Sequence, residues 1–268
     1  MTQHTVEPYS THSGSRHQAL VGQNALVTGG SEGIGRGIAE RLLDAGATVA
    51  VAARRPEVLD EAVASLRARC GDESRVAGIV ADIADADSVA AMFERVEREF
   101  GSLNVLVANA GSGTVAPFLE LTEEQWQACI DLNLTGTFRC VQAAARAMVR
   151  REGTNRSIVV VSSIRALGVR PSLVPYGTAK AGLNQLVRMA AYELAPTGIR
   201  VNALSPGITA TPLTQERNSL FDERAATVPM GRAGTPADMA SAALYLAGPD
   251  SAFVTGTNLV VDGGESLY

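Results

Sequence analysis

The stretch Tyr176-Gly-Thr-Ala-Lys180, with Ser163 upstream of it, carries the residue types in this chain best suited to chemistry. Tyr176 and Lys180 are four residues apart, so on a helix they share one face, a turn from each other. A phenol ionises near pH ~10 and is a poor proton shuttle at neutrality. A lysine ammonium beside it favours the phenolate and pulls that pKa toward the working range. Ser163 follows Ile158-Val-Val-Val161-Ser162, an apolar β-branched run that reads as a buried strand. In a parallel sheet Ser163 would emerge at the carboxyl end of its strand, where open α/β sheets place their ligands. A hydroxyl donor, a tunable phenol and a fixed ammonium suit a reaction at a carbonyl or alcohol carbon. Taken singly, Tyr176 also reads as a core tyrosine and Lys180 as a solvated helix lysine.

A second signal lies near the start of the chain. Asn24-Ala-Leu-Val-Thr28 reads as a strand running into Gly29-Gly-Ser-Glu-Gly33-Ile-Gly35. Ile34, Ile38 and Leu42 then recur at helical spacing until Ala45-Gly46. Strand, glycine turn and helix make a phosphate-binding start. The glycines let the backbone approach a pyrophosphate, and the helix N-terminus supplies N–H donors and a positive dipole end. The spacing is Gly-x-x-x-Gly-x-Gly, and tight turns before helices use glycine as well.

Bringing residues 29–35 and 163–180 together requires a scaffold, and the chain provides one by alternation. Further strands are expected at Thr48–Ala52, Arg75–Val80, Asn104–Ala108, Ile199–Ala203 and Thr257–Val261. Helices are expected at 56–70, 85–100, 236–247 and from the Tyr176 region to about Ala195. Residues 123–151 read as one long helix, with Trp126, Ile130, Leu134, Phe138, Val141, Ala145 and Met148 at steps of three and four. This repetition predicts an α/β fold: a single-domain Rossmann-type doubly wound parallel sheet of about seven strands, with helices on both faces. No linker interrupts it. Residues 1–21, polar and rich in Ser, Thr and Gly, read as a flexible tail before one domain over 22–268. A mixed stretch at 209–230 is the expected substrate loop.

Bulk properties exclude several classes. With 268 residues, 46% hydrophobic, the chain can bury a sizeable core, and its net charge of −5 argues against nucleic acid or an anionic membrane as partner. Cys70, Cys129 and Cys140 have no framework spacing and read as thiols of a reducing compartment. His4, His12 and His17 all fall in the tail, which leaves the body without imidazole for a catalytic triad or a metal site. No apolar run reaches the ~18 residues of a membrane span, and no secretory signal precedes the domain. The expectation is a cytoplasmic protein without a metal.

The glycine turn, Asn109-Ala110-Gly111, Asp131-Leu-Asn133, the Ser163/Tyr176/Lys180 set and Pro206-Gly207 occur in one order, and in that order they resemble the short-chain dehydrogenase/reductase family over residues 22–264. Within it the chain is most similar to 3-oxoacyl-carrier-protein reductases and related ketoreductases. The resemblance implies a hydride transfer between a nicotinamide cofactor and a carbonyl or secondary alcohol on a small molecule. Tyr176 would be the acid/base, Ser163 would polarise the carbonyl, and Lys180 would tune Tyr176 and bind ribose. Asn133 would hold a proton-relay water through a local helix kink. The implied cofactor set is Gly29, Ser31, Glu32, Gly33, Ile34, Gly35, Arg54, Arg55, Asp82, Ile83, Asn109, Ala110 and Gly111, with Tyr176, Lys180, Pro206, Gly207, Thr209 and Thr211. Asp82 reads either as a contact to the adenine amine or as a plain turn aspartate. A non-catalytic dinucleotide sensor or scaffold of the same fold is the alternative, although such proteins usually lack part of the Ser/Tyr/Lys set. A methyltransferase on a similar sheet would leave Tyr176 and Lys180 without a task.

The end of the second strand bears on the cofactor. Ala53 stands where NAD-preferring members of the family carry an acid, and Arg54 and Arg55 follow. Guanidinium groups there can grip a 2′-phosphate in bidentate fashion, which favours NADP, with NAD as runner-up. Glu32 opposes that preference from inside the glycine turn. Ile164, Arg165 and the segment 112–118 would line the substrate side, with Ser163, Arg165 and Tyr176 touching substrate. Arg165 reads either as a clamp for a substrate oxyanion or as a surface arginine paired with a nearby acid. Small residues on the two long helices (Ala143, Ala144, Ala145; Ala190, Ala191) and the family resemblance suggest a homo-tetramer, with a dimer as second choice.

Overall fold

The computed structural model describes residues 18–150, 154–212, 214 and 221–267. Seven parallel strands form one sheet in the order β3-β2-β1-β4-β5-β6-β7. They are β1 Asn24–Thr28, β2 Thr48–Ala53, β3 Val76–Val80, β4 Val105–Ala108, β5 Arg156–Val161, β6 Ile199–Pro206 and β7 Asn258–Val261. The helices are α1 Gly33–Asp44, α2 Pro56–Cys70, α3 Ala86–Phe100, α4 Glu123–Ile130, α5 Thr137–Val149, α6 Val174–Leu194, the short α7 Phe221–Ala226 and α8 Pro236–Ala247.

The apolar runs that marked the strands are what a sheet covered on both faces requires. Leu26, Ala50, Leu106, Ile158 and Val160 point to one face and pack with Met92 of α3, Val141 of α5 and Leu183 of α6. Their neighbours Val27, Val49, Val105, Val107 and Val159 point the other way, onto Ile38 of α1, Leu66 of α2 and Ala243 of α8. Helix ends carry local signals. Asp85 accepts from the backbone of Ser88 at the start of α3, and Thr122/Gln125 and Thr235/Asp238 form capping boxes on α4 and α8.

Four expectations change. The helix expected over 123–151 is broken by a π-helical turn, Asp131–Gly136, with Asn133 fully buried in it. A buried asparagine must bond its amide, and here it bonds backbone that the helix passes; Arg151 lies outside the described residues. The body begins before residue 22, because Leu20 is fully buried against the α1–β2 connection and its N–H donates to Ala45 O at 2.9 Å; residues 1–17 lie outside the described residues. β6 runs on to Pro206 rather than stopping at Ala203. Ala144, Ala145 and Ala191 are buried within the chain's own core, so they are not free for contact with another copy. The outward apolar residues of α5 and α6 are Phe138, Val149, Met189 and Tyr192. No helix among the described residues is long and apolar enough to cross a membrane.

Candidate active site

The order of strands reverses between β1 and β4, and the carboxyl ends on both sides of that reversal open on one cleft of about 690 Å³. At its floor the backbone turns sharply after β1. Gly29 and Gly33 adopt φ of 64° and 54°, and a Cβ on Gly35 would lie 2.2 Å from the carbonyl oxygen of Gly29. Only glycine permits α1 to start so close to its own turn. Asn109, at the end of β4, ties the turn down from the far side. Its amide donates to the carbonyls of Thr28 and Gly29 at 3.1 and 3.0 Å, while the backbone N–H groups of Asn109 and Ala110 donate to Thr28 Oγ1. Ser31, Gly33 and Ile34 line the cleft where the N-terminus of α1 points, and Gly35 lies beneath them without lining it. The methyl of Thr211 packs over Gly33. Backbone amides around a cradle that a Cβ would fill fit the pyrophosphate of a dinucleotide.

At one end of the cleft stand Arg54, Arg55, Asp82 and Ile83. Arg55 pairs with Glu32, and Arg54 Nη1 lies 3.8 Å from Asp82 Oδ2. Asp82 also accepts from the backbone of Ala84 at 2.9 Å, the turn-stabilising bond of the plainer reading. These arginines therefore face acids across an exposed rim, and Glu32 of the glycine turn is the partner of Arg55. No acid occupies the end of β2.

The centre of the cleft is held by β5 and α6. Ser163 lies two residues beyond β5, and its hydroxyl accepts from the backbone of Arg165 at 3.1 Å. Lys180 Nζ donates to the carbonyl of Val161 at 2.8 Å, and Ser162 Oγ donates to the carbonyl of Lys180 at 3.1 Å. Two buried bonds thus staple the strand end to the helix and set Ser163 beside Tyr176, whose phenol its hydroxyl favours toward ionisation. Burial brings the Lys180 pKa down to about 8. Burial also pushes the Tyr176 phenol above its ordinary value, and the Ser163 hydrogen bond and the Arg165 charge only partly oppose it. The expected depression of Tyr176 by Lys180 is not found in the free protein. Burial dominates, the opposing contributions come from Ser163 and Arg165, and the Lys180 ammonium stands 5.6 Å over the ring centroid.

Asn133 reaches this centre from behind and does not line the cleft. Its Nδ2 donates to Ser112 O and Cys129 O at 2.8 and 2.9 Å, and its Oδ1 accepts from Ser112 N at 3.2 Å. It braces the loop after β4, where a Cβ on Gly111 would meet Oδ1 at 2.6 Å. The π turn is the kink expected around it.

Pro206, Gly207 and Thr209 close the remaining wall beside Ile164. Residues 213 and 215–220 of the expected substrate loop lie outside the described residues. Arg165 lines the cleft and pairs with Glu265, the acid partner of its second reading, but with its side chain only 19% exposed it is not a surface arginine. Two further cleft arginines, Arg170 and Arg224, had no sequence signal, since they come from separate segments that only the fold unites. No cluster of three or more His, Cys, Asp or Glu among the described residues can hold a metal.

Comparison with known proteins agrees with this architecture. The family model described as Enoyl-(Acyl carrier protein) reductase matches residues 29–266. The 3alpha-hydroxysteroid dehydrogenase of Mediterraneibacter gnavus is 37% identical over 89% of this chain and 95% of its own length. A 3-oxoacyl-acyl-carrier-protein reductase of Staphylococcus aureus is 37% identical over 90% of this chain and 97% of its own. A short chain dehydrogenase from Burkholderia cenocepacia, solved in complex with NADP, superposes with a TM-score of 0.86 at 34% identity, covering 92% of this chain and 99% of that one. The chain belongs to the short-chain dehydrogenase/reductase family of oxidoreductases.

Proposed function

We propose that this protein is a nicotinamide-dependent ketoreductase with a preference for NADP, acting on a carbonyl or secondary alcohol carbon of a small molecule. The observation that carries the reading is the meeting of Ser163, Tyr176 and Lys180 on one strand-end-to-helix staple, in the same cleft as the glycine turn. Gly29, Gly33, the N-terminus of α1 and the Asn109–Gly111 segment would hold the cofactor, with Arg54 and Arg55 at its adenosine end. The nicotinamide supplies or accepts the hydride when bound.

The chain's own residues handle the proton and the charge. Ser163 donates a hydrogen bond to the substrate oxygen and stabilises charge that develops there, the task of a preorganised donor. Tyr176 gives that oxygen its proton. Its raised pKa keeps the phenol protonated at neutral pH, which suits the reducing direction. Lys180, protonated below about pH 8, keeps a positive charge beneath the ring and would bind the nicotinamide ribose. Asn133 fixes the loop that closes over this centre, and the π turn beside it is where a relay water would be held.

A second copy of the chain would cover Phe138, Val149, Met189 and Tyr192, whose exposure on α5 and α6 supports a closed two-fold assembly, a homo-tetramer by preference. The non-catalytic reading has no missing catalytic group in its favour. The test is a panel of ketones, acyl thioesters and secondary alcohols followed at the nicotinamide absorbance band. Cofactor oxidation stoichiometric with carbonyl loss supports the reading, and binding of NADPH without turnover on any member contradicts it.

A further inference from the structure

The substrate end of the cleft has a charge imbalance that hydride transfer does not need. Arg165, Arg170 and Arg224 line it, and the acids that line the same cleft, Glu32 and Asp82, stand at the adenosine end. Glu265 sits behind the arginines and is fully engaged. Its Oε1 pairs with Arg165 and lies 3.7 Å from Arg224, while its Oε2 accepts from the backbone of Ile208. Asp262, the other acid of that segment, accepts from the backbone of Gly264 and Ser266. Among the described residues, one carboxylate thus faces three guanidinium groups.

The three arginines differ in how well they are satisfied. Arg165 has the close contact to Glu265, and Arg224 a longer one. Arg170 is partly buried and makes no hydrogen bond or ion pair among the described residues. Glu265 acts on Arg170 only at a distance, without a direct contact, and a partly buried guanidinium with no partner on its fork of donors suits a carboxylate or phosphate. Mutual repulsion adds to the cost of its burial, since Arg170 feels Arg165, and Arg224 feels both.

We propose that the substrate carries an oxyanion, a carboxylate or phosphate, which Arg170 and Arg224 grip while its carbonyl is held at Ser163 and Tyr176. Arg165, locked on Glu265, shapes the site without being the main clamp. This inference rests on the ketoreductase reading and narrows its substrate class.

The test pairs each charged substrate with a neutral twin. Keto acids of increasing chain length are compared with their methyl esters, and dihydroxyacetone phosphate with dihydroxyacetone, at constant ionic strength. At least one acid or phosphate should exceed its twin in kcat/KM by about ten- to hundredfold, the scale of a charge-assisted contact. Which arm responds tells carboxylate from phosphate. Arg170→Gln and Arg224→Gln should each collapse that advantage through KM rather than kcat, and Arg170→Lys should restore part of it. A binding measurement is independent of turnover: with NADP saturating, hexanoate should stabilise the wild type thermally more than hexanamide, and Arg170→Gln should abolish the difference. Neutral twins that match or beat their charged partners, with active turnover, overturn the inference and leave the ketoreductase reading intact. Should no carbonyl be turned over, that reading fails, and equal effects of hexanoate and hexanamide would then overturn the inference as well.

Discussion

Replacing Glu32 by Gln should sharpen the proposed preference for NADP, and the expected size follows from the exposed rim and Coulomb's law. Glu32 pairs with Arg55, and both side chains are well exposed, 43% and 63%. Such a pair contributes only about 0–1 kcal/mol, so breaking it leaves the fold intact. The carboxylate matters more for what it repels. A 2′-phosphate carries roughly −1.5 to −2 charges at neutral pH. A unit charge about 6 Å from another in water-like dielectric interacts by roughly 0.7 kcal/mol, hence about 1–1.4 kcal/mol against the phosphate. Removing it, and releasing Arg55 to the phosphate, should raise the ratio of kcat/KM for NADPH over NADH by about five- to tenfold. The change should come from NADPH and shrink at high salt. Arg55→Ala, which leaves Glu32 unopposed, should move the ratio the opposite way. Steady-state kinetics with both cofactors, at low and high salt, decide the matter. A ratio in Glu32→Gln that stays flat or falls would refute this account of the adenosine end.

Three other outcomes follow from the geometry. Asn109→Ala removes the donor to two backbone carbonyls of the glycine turn and should lower stability by about 1–3 kcal/mol in chemical denaturation, with weaker cofactor binding by calorimetry. The Lys180 pKa is depressed, so the unfolded chain binds more protons between about 8 and its ordinary 10.5; stability should rise with pH across that window, and Lys180→Met should remove the rise. Light scattering at micromolar concentration should give a multiple of 27.9 kDa, with Phe138→Glu or Tyr192→Glu shifting it toward the monomer.

What could be read in the sequence was local, and what could not was the meeting of distant segments. Tyr176 and Lys180 share a helix face at a spacing visible in any window, and the strands announced themselves as apolar runs because both faces of the sheet are covered. The break at Asp131–Gly136 leaves no mark in the periodicity, since Leu134 and Phe138 keep the helical step through it, and only the family resemblance called for a kink at Asn133. Leu20 sits in the short apolar run Ala19-Leu20-Val21 at the end of a polar tail, too short to show a period. The direction of the Tyr176 shift depended on burial, which spacing does not report. Arg170, Arg224 and Glu265 lie on three separate segments, and no periodicity links them.

The measurement closest to the central claim is Tyr176→Phe. The ring and its packing stay and only the hydroxyl goes, so the variant should fold with an unchanged melting curve and bind NADPH as the wild type does. Its turnover of the best carbonyl substrate should fall by at least ~10², the scale of general acid catalysis. Wild-type turnover in that variant, with cofactor bound, would contradict the assignment of the proton to Tyr176.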